Sequence, residues 1–528
     1  MVFVANNPNT SQLLMRPLDQ VAAVPLAGTE GAQYPFWAPD SRAIAFFAEG
    51  KLKRLDLSGG APAVIADAPN ARGGSWSREG VIVFSGSTTG GLKQIPANGG
   101  TPSELPRPSG AVSARWPHVL PDSRHVLFAA MLGQAETRGV FLGSLDGRPP
   151  TRVLSLEAEA SYVAGHLMYV NQGVLLARPF DLAKAAVTGD PVPIAQMVGA
   201  DTAPGRAGFS VSEAGVLAYR SGPPALRQIA WVDRTGKVLD VIGPPDESAL
   251  MNVELAPDGR HAAFNRSRSG NTDVWLVDVK SRVESRFTYD GVIDAEPVWS
   301  PDGSRVVFRS SRNGKYDLFV KPANGSTDEQ PLLVTDQDKA AKDWSPHGNV
   351  VLYATQDPKT ASDLWVFPME GDRQPFPVAR TPFDEIHGQI SPDGRWLAYA
   401  SNETGRYELY IQAFPKATNG KKKLSTDSGI YPRWRPDGRE LYYVTLDNRL
   451  VAVPIQSSPG GDGVTAGAPT VLFRTRMAIG PVVGISGVLS KAQYTVAPSG
   501  QFLMILNAEY TSPLPINIVS NWTAALQR

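Results

Sequence analysis

Hydrophobic and polar residues alternate with a period of two in short runs along almost the whole chain. The runs are rich in β-branched and aromatic residues, which is the pattern of half-buried strands. Asp273-Val274-Trp275-Leu276-Val277-Asp278, Asp363-Leu364-Trp365-Val366-Phe367-Pro368 and Tyr407-Glu408-Leu409-Tyr410-Ile411-Gln412 are three such runs in equivalent surroundings. No window of helical length holds a 3.6-residue apolar stripe, because Pro or Gly interrupts nearly every candidate, and very little helix is expected.

The runs belong to a repeat. Trp299-Ser300-Pro301-Asp302-Gly303 recurs as Leu255-Ala256-Pro257-Asp258-Gly259, Ile390-Ser391-Pro392-Asp393-Gly394 and Trp434-Arg435-Pro436-Asp437-Gly438. Looser copies begin at Trp37, Leu120, Trp344 and Ala497, and degenerate ones lie at Trp76, near Val163, and at Ser212. Spacings of about 45 residues fall in the range of propeller blades. In each copy an apolar strand ends, Pro presets φ, Asp braces the turn, and Gly supplies the positive φ that closes a hairpin. After Trp299, further strands are expected at Arg305 to Arg309, Tyr316 to Lys321 and near Pro331 to Val334, a four-stranded meander.

About a dozen such meanders without helical crossovers predict an all-β protein of two six-bladed β-propellers in tandem, since rings of four to eight blades are usual. The Pro-rich stretch Gly243-Pro244-Pro245-Asp246 suggests the joint, giving propellers at 1–243 and 244–528. The first blade reads as incomplete. Val2-Phe3-Val4-Ala5 resembles a second strand and Gln12 to Asp19 contains a third, so either the natural protein extends upstream, the favoured expectation, or ring closure borrows a strand. The last unit carries extra residues at Ser457 to Gly467 and Met477 to Leu489, expected as loops or an added hairpin around a fourth strand at Val471-Leu472-Phe473.

Composition narrows the function. With 51 basic and 51 acidic residues, no electrostatic footprint favours nucleic acid. Cysteine is absent, which removes disulfides, thiolate chemistry and Cys-ligated metals. The start, Met1 to Pro8, does not read as a secretory signal, and no stretch reads as a membrane span. G-x-S-x-G, H-E-x-x-H and Walker loops are missing, so no catalytic residue, cofactor or metal site is assigned. Gly460, Gly461, Gly463 and Gly467 read as loop, Lys421-Lys422-Lys423 as a solvated hairpin, and the Pro-Asp-Gly aspartates as turn braces rather than metal ligands.

The repeats resemble the TolB-like, WD40-like propeller repeat. Longer phrases resemble the C-terminal propeller half of large bacterial serine/threonine kinases of the kind common in Acidobacteria: Gly28-Thr29-Glu30-Gly31 before Tyr34-Pro35-Phe36-Trp37, Leu175 to Asp181, Gly215 to Arg220 with Trp231-Val232-Asp233-Arg234, and Asn521-Trp522-Thr523. That resemblance implies a longer protein with a cytoplasmic kinase, a membrane span and extracytoplasmic, periplasmic propellers; a chain complete as written would be cytoplasmic. The kinase motifs His-Arg-Asp, Asp-Phe-Gly and the Gly-rich loop are absent, so kinase chemistry does not reside here.

The binding candidates are residues placed just before the first strand of a unit, where a propeller opens its channel: Tyr34, Arg115, Glu296, Asp343, His387, Tyr431 and Arg433. Mixed charge with aromatics suits a protein, peptide or small polar ligand. The competing role for these side chains is to cap strands and pair with one another. A non-enzymatic binding or sensing module is the first expectation; the alternatives are the propeller of a prolyl-oligopeptidase-like peptidase, a channel-mouth lyase or hydrolase, or a plain scaffold.

Overall fold

The computed structural model describes the chain apart from residues 7–10, 70, 88–89, 110, 112, 132–136, 200–204, 223–225, 269–270, 358–359, 418–419, 459–462, 478–490, 509–514 and 528. The described residues form twelve antiparallel sheets, most of them four-stranded, with a 3-10 segment at Trp522–Gln527 and no α-helix. Gly460, Gly461 and most of Met477 to Leu489 lie outside the described residues.

The chain divides into two compact units, 226–509 and 1–225 with 510–528. Unit 226–509 contains six sheets. In the sheet that starts with Asp294–Trp299, the strands Arg305–Ser310, Asp317–Pro322 and Gln330–Leu333 follow in order, as the repeat predicts. The turn between the first two is set locally: Asp302 accepts from Ser300 Oγ at 2.5 Å and from the Ser304 N–H at 3.0 Å. These bonds hold its carboxyl down at about 2. The glycines of the four Pro-Asp-Gly turns, Gly259, Gly303, Gly394 and Gly438, have φ between 66 and 72°, the left-handed region that disfavours a Cβ. The extra residues after Ser457 include the hairpin strand Val464–Ala466, and Thr470–Arg474 is the fourth strand expected there.

Apolar clusters fill the spaces between neighbouring sheets. Ala263, Val274, Phe308 and Phe319 join two of them, and Leu441, Tyr443, Leu409 and Ile411 join two more. The cycle closes: Ile229, Ile505 and Leu503 pack on Phe264 at one side of the final sheet, while Val232 and Phe502 pack with Tyr442 at its other side. This closing sheet is assembled from distant segments. Strands Tyr494–Val496 and Phe502–Asn507 are inner, and Arg227–Val232 and Val238–Asp246 are outer, with Ala230 paired to Met504 and Val232 to Phe502.

That pairing moves the division of the chain. The expected joint at 243/244 falls inside the strand Val238–Asp246, and the segment from 226 belongs with the later sheets. Pro244 and Pro245 read as a break, yet they sit on the outermost strand of the closing sheet, at a register shift between the pairs Ile229–Ile242 and Arg227–Asp246, where a missing N–H costs no ladder bond. The chain's last strand, Ile516–Val519, likewise does not extend the 226–509 unit. It pairs with Leu217–Arg220, and Trp522 is buried beside Met168, Leu175 and Leu217.

Unit 1–225 with 510–528 holds the other six sheets. Its first is three-stranded, with Val2–Asn6 paired to Ser11–Met15 as second and third strands, in keeping with the sequence pattern.

Candidate functional site

The inner strands share one irregularity. Each of Ala249–Leu255, Asp294–Trp299, Lys339–Trp344, Glu385–Ile390 and Ile430–Trp434 carries one residue more than its partner opposite, a β-bulge. At the bulge Asn252, Glu296, His387 and Tyr431 take φ of 55 to 59°. A bulge re-aims its side chain, and such strained positions persist only where the surroundings hold them. The candidate residues therefore lie within the inner strands rather than before them. The extra residue breaks the period-two alternation, so the pattern hides where each strand begins.

Within the 226–509 unit the structure brings Glu296, Arg433, His387 and Tyr431 into the central region, with Asp343 in the same network. Arg433 forks onto Glu254 at 2.8 and 3.1 Å and donates to the Tyr494 carbonyl at 3.1 Å. Lys491 Nζ lies 2.6 Å from Glu254 and donates to the Pro297 carbonyl at 2.7 Å. Lys342 donates to Glu296 at 2.8 Å, and Arg309 lies 3.2 Å from the other Glu296 oxygen. His387 and Tyr431 face each other with ring centroids 4.3 Å apart. Gln493, just before the innermost strand of the closing sheet, donates to Asn252 of the neighbouring sheet at 3.0 Å.

These charges are deeply buried; Glu296 is 0% exposed and Lys342 2%. Burial alone would raise Glu254, but Arg433 and Lys491 outweigh it and hold its carboxyl below the ordinary range. Burial lowers Lys342 to about 8 against the pull of Glu296, and it lowers Lys491 against Glu254. Asp343 accepts from the Ile390 N–H at 2.8 Å and the Trp344 N–H at 2.9 Å. Burial dominates there and pushes its carboxyl up to about 7.

Tyr34 and Arg115 belong to the other unit and form a separate group. Tyr34 and Trp116 occupy bulge positions with φ of 49 and 55°, and their rings meet edge-on at 5.3 Å. The Arg206 guanidinium lies 4.6 Å from the Tyr34 ring centroid and 5.6 Å from that of Trp116. Gly73 occupies the matching place in its sheet, where a Cβ would stand 3.0 Å from the Trp116 ring. Arg115 is buried one residue before the bulge, with Nε on Ser113 Oγ at 2.7 Å, and burial lowers its guanidinium to about 10.

Sequence reasoning missed Asn252, Glu254, Arg309, Lys342, Lys491 and Gln493. Glu254 precedes Leu255 as Asp343 precedes Trp344 and Arg433 precedes Trp434, so strict alignment on the turn would have found it. Gln493 stands three residues before Val496 as Glu296 stands three before Trp299, so the looser turn copy at Ala497 would have placed it, whereas Lys491 lies outside that register. Among the described residues no group of three or more His, Asp or Glu is placed to hold a metal, and no helix is long and apolar enough to cross a membrane. The arrangement is a set of buried, mutually paired charges held in place by the bulged strands.

Residues 251–370 match the TolB beta propeller domain family. An uncharacterized protein of Agrobacterium fabrum is 26% identical over 193 residues, 36% of this chain and 52% of its own length. The uncharacterized peptidase YuxL of Bacillus subtilis is 24% identical over 208 residues, 31% of this chain and 32% of that protein. The Tol-Pal system protein TolB of Anaeromyxobacter dehalogenans is 34% identical over 86 residues, 15% of this chain and 18% of its own. The chain thus spans about half or less of the length of these curated relatives. A solved structure of a putative TolB from Agrobacterium tumefaciens covers 54% of this chain and 99% of its own, at 16% identity and a TM-score of 0.41. The chain carries TolB-like β-propeller sequence in an all-β fold.

Proposed function

We propose that this chain is a non-enzymatic binding module of two six-bladed propellers, in which the centre of the 226–509 unit receives a protein, peptide or small polar ligand. One observation carries the reading: bulged inner strands from successive sheets deliver buried, mutually paired charges to one place, so donors are oriented before any ligand arrives. The similarity to a Tol-Pal system protein is compatible with a protein partner. The test is a panel of peptides and polar metabolites read by unfolding midpoint, with hydrolysis followed in the same samples. A saturable stabilisation without turnover is expected. Turnover of a panel member, or no stabilisation by any, would overturn the proposal.

We place the module outside the cytoplasm, as the propeller part of a membrane-anchored, receptor-like kinase. Support comes from the phrases at Tyr34 to Trp37, Leu175 to Asp181 and Asn521 to Thr523. Sequencing the gene upstream of the Met1 codon tests this, with an in-frame kinase and span expected. A second reading is favoured by the similarity to an uncharacterized peptidase: the chain would then be the gating propeller of such an enzyme, and the upstream or downstream frame would encode a hydrolase.

A further inference from the structure

The centre of the 226–509 unit holds a half-open cavity of about 10 Å³, enough for one water-sized atom. Its lining is one-sided. Lys342, Arg433, Lys491 and His387 contribute to the wall together with Gln389 and Tyr431, and no carboxylate among the described residues does.

Among the described residues Arg433 and Lys491 share Glu254, and Lys342 and Arg309 share Glu296. The third acid, Asp343, has its oxygens on backbone N–H groups, and burial pushes it up to about 7, which weakens it as a counterion at neutral pH. Lys491 Nζ donates to Glu254 and to the Pro297 carbonyl, and an ammonium has three protons to give.

We propose that this cavity is an anion seat that takes one oxygen of a ligand carboxylate, the acidic or C-terminal end of a peptide or a small organic acid. The assignment rests on the binding reading above and names the chemistry that the same site selects. One oxygen fits the space, and the ligand's charge meets a wall to which Lys342, Arg433, Lys491 and His387 contribute. Chloride carries the same charge in a similar volume and is the inorganic rival.

The test uses the full chain at matched ionic strength. Unfolding midpoints are followed in acetate, acetamide, chloride, triglycine and triglycinamide, with wild type, Lys342→Met and Lys491→Met in parallel. Each variant leaves its carboxylate one cation, Arg309 on Glu296 or Arg433 on Glu254, which favours folding. Acetate should raise the wild-type midpoint saturably and acetamide should not. Triglycine acting alongside acetate, with triglycinamide inert, marks a peptide end as the source; acetate acting alone marks a small acid. Both variants should weaken acetate at least tenfold. As a readout that needs no variant, acetate should shift the signals of two buried lysines in a spectrum of lysine-labelled wild type and leave exposed lysines in place. No saturable response to acetate, an unaltered response in both variants, or unmoved buried lysines overturns the seat. A response to chloride alone overturns the carboxylate. Peptide binding that is indifferent to acetate and to both variants overturns the seat while leaving the binding module standing.

Discussion

The two units fill the same backbone device with different chemistry. In the 1–225 unit the bulge residues Tyr34 and Trp116 meet ring to ring under Arg206, and Gly73 at the matching position makes room for the indole. In the 226–509 unit the bulge residues include Glu296 and His387, and the neighbouring Glu254, Lys342, Arg433 and Lys491 are buried as ion pairs. The bulge therefore sets where a side chain goes, and residue type alone decides what the centre can do. An aromatic stack fills space and tolerates the loss of its cation. A buried ionic cluster is specific and fragile, because each partner removed leaves another charge without compensation.

The largest expected effect breaks the ionic centre. Glu254→Gln keeps the shape but leaves Arg433 and Lys491 facing an amide, and a loss of about 3–5 kcal/mol is expected in denaturant unfolding of the 226–509 unit. The counterpart in the other unit is Arg206→Ala, which removes a partly exposed guanidinium from two ring faces. A loss of about 0.5–2 kcal/mol is expected by the same measurement. Equal losses would erase the contrast between the units.

A pH dependence sharpens it. Asp343 has a folded value of about 7, above the unfolded value near 4. The folded state then binds the extra proton between those values, so this group makes the protein less stable as pH rises from about 4 to about 7 and adds no further change above. Asp343→Asn removes that dependence, and unfolding midpoints of the variant should decline less over that window than those of the parent. An identical decline would remove Asp343 from the account.

Much of the fold was legible because its signals are local. Each Pro-Asp-Gly turn lies next to the strands it joins, and Asp302 makes its bracing bonds within two residues. Closure was not legible, since pairing Ile229 with Ile505 depends on contact between segments far apart in sequence. Pro244 and Pro245 misled for a definite reason, that proline is admitted on the edge strand of a sheet as readily as in a linker. At the site, Glu296, Asp343, His387, Tyr431 and Arg433 could be picked from their place before the turn motif. Glu254 follows the register of Asp343 and Arg433 but was passed over, Lys342 is the bulge residue of its strand, and Lys491 became a partner only once the last inner strand joined the closing sheet.

Everything said of the 226–509 unit depends on its being closed by its own two ends. Because the chain has no cysteine, a pair introduced as Gln228→Cys and Leu506→Cys, residues opposed in the closing sheet, reports on this alone. Opposed residues in an antiparallel pair lie within disulfide reach. Mass spectrometry after mild oxidation of the folded protein should find one intramolecular bond between residues 228 and 506. Thiols that stay free in the folded chain, or that link only between molecules, would contradict the closed ring.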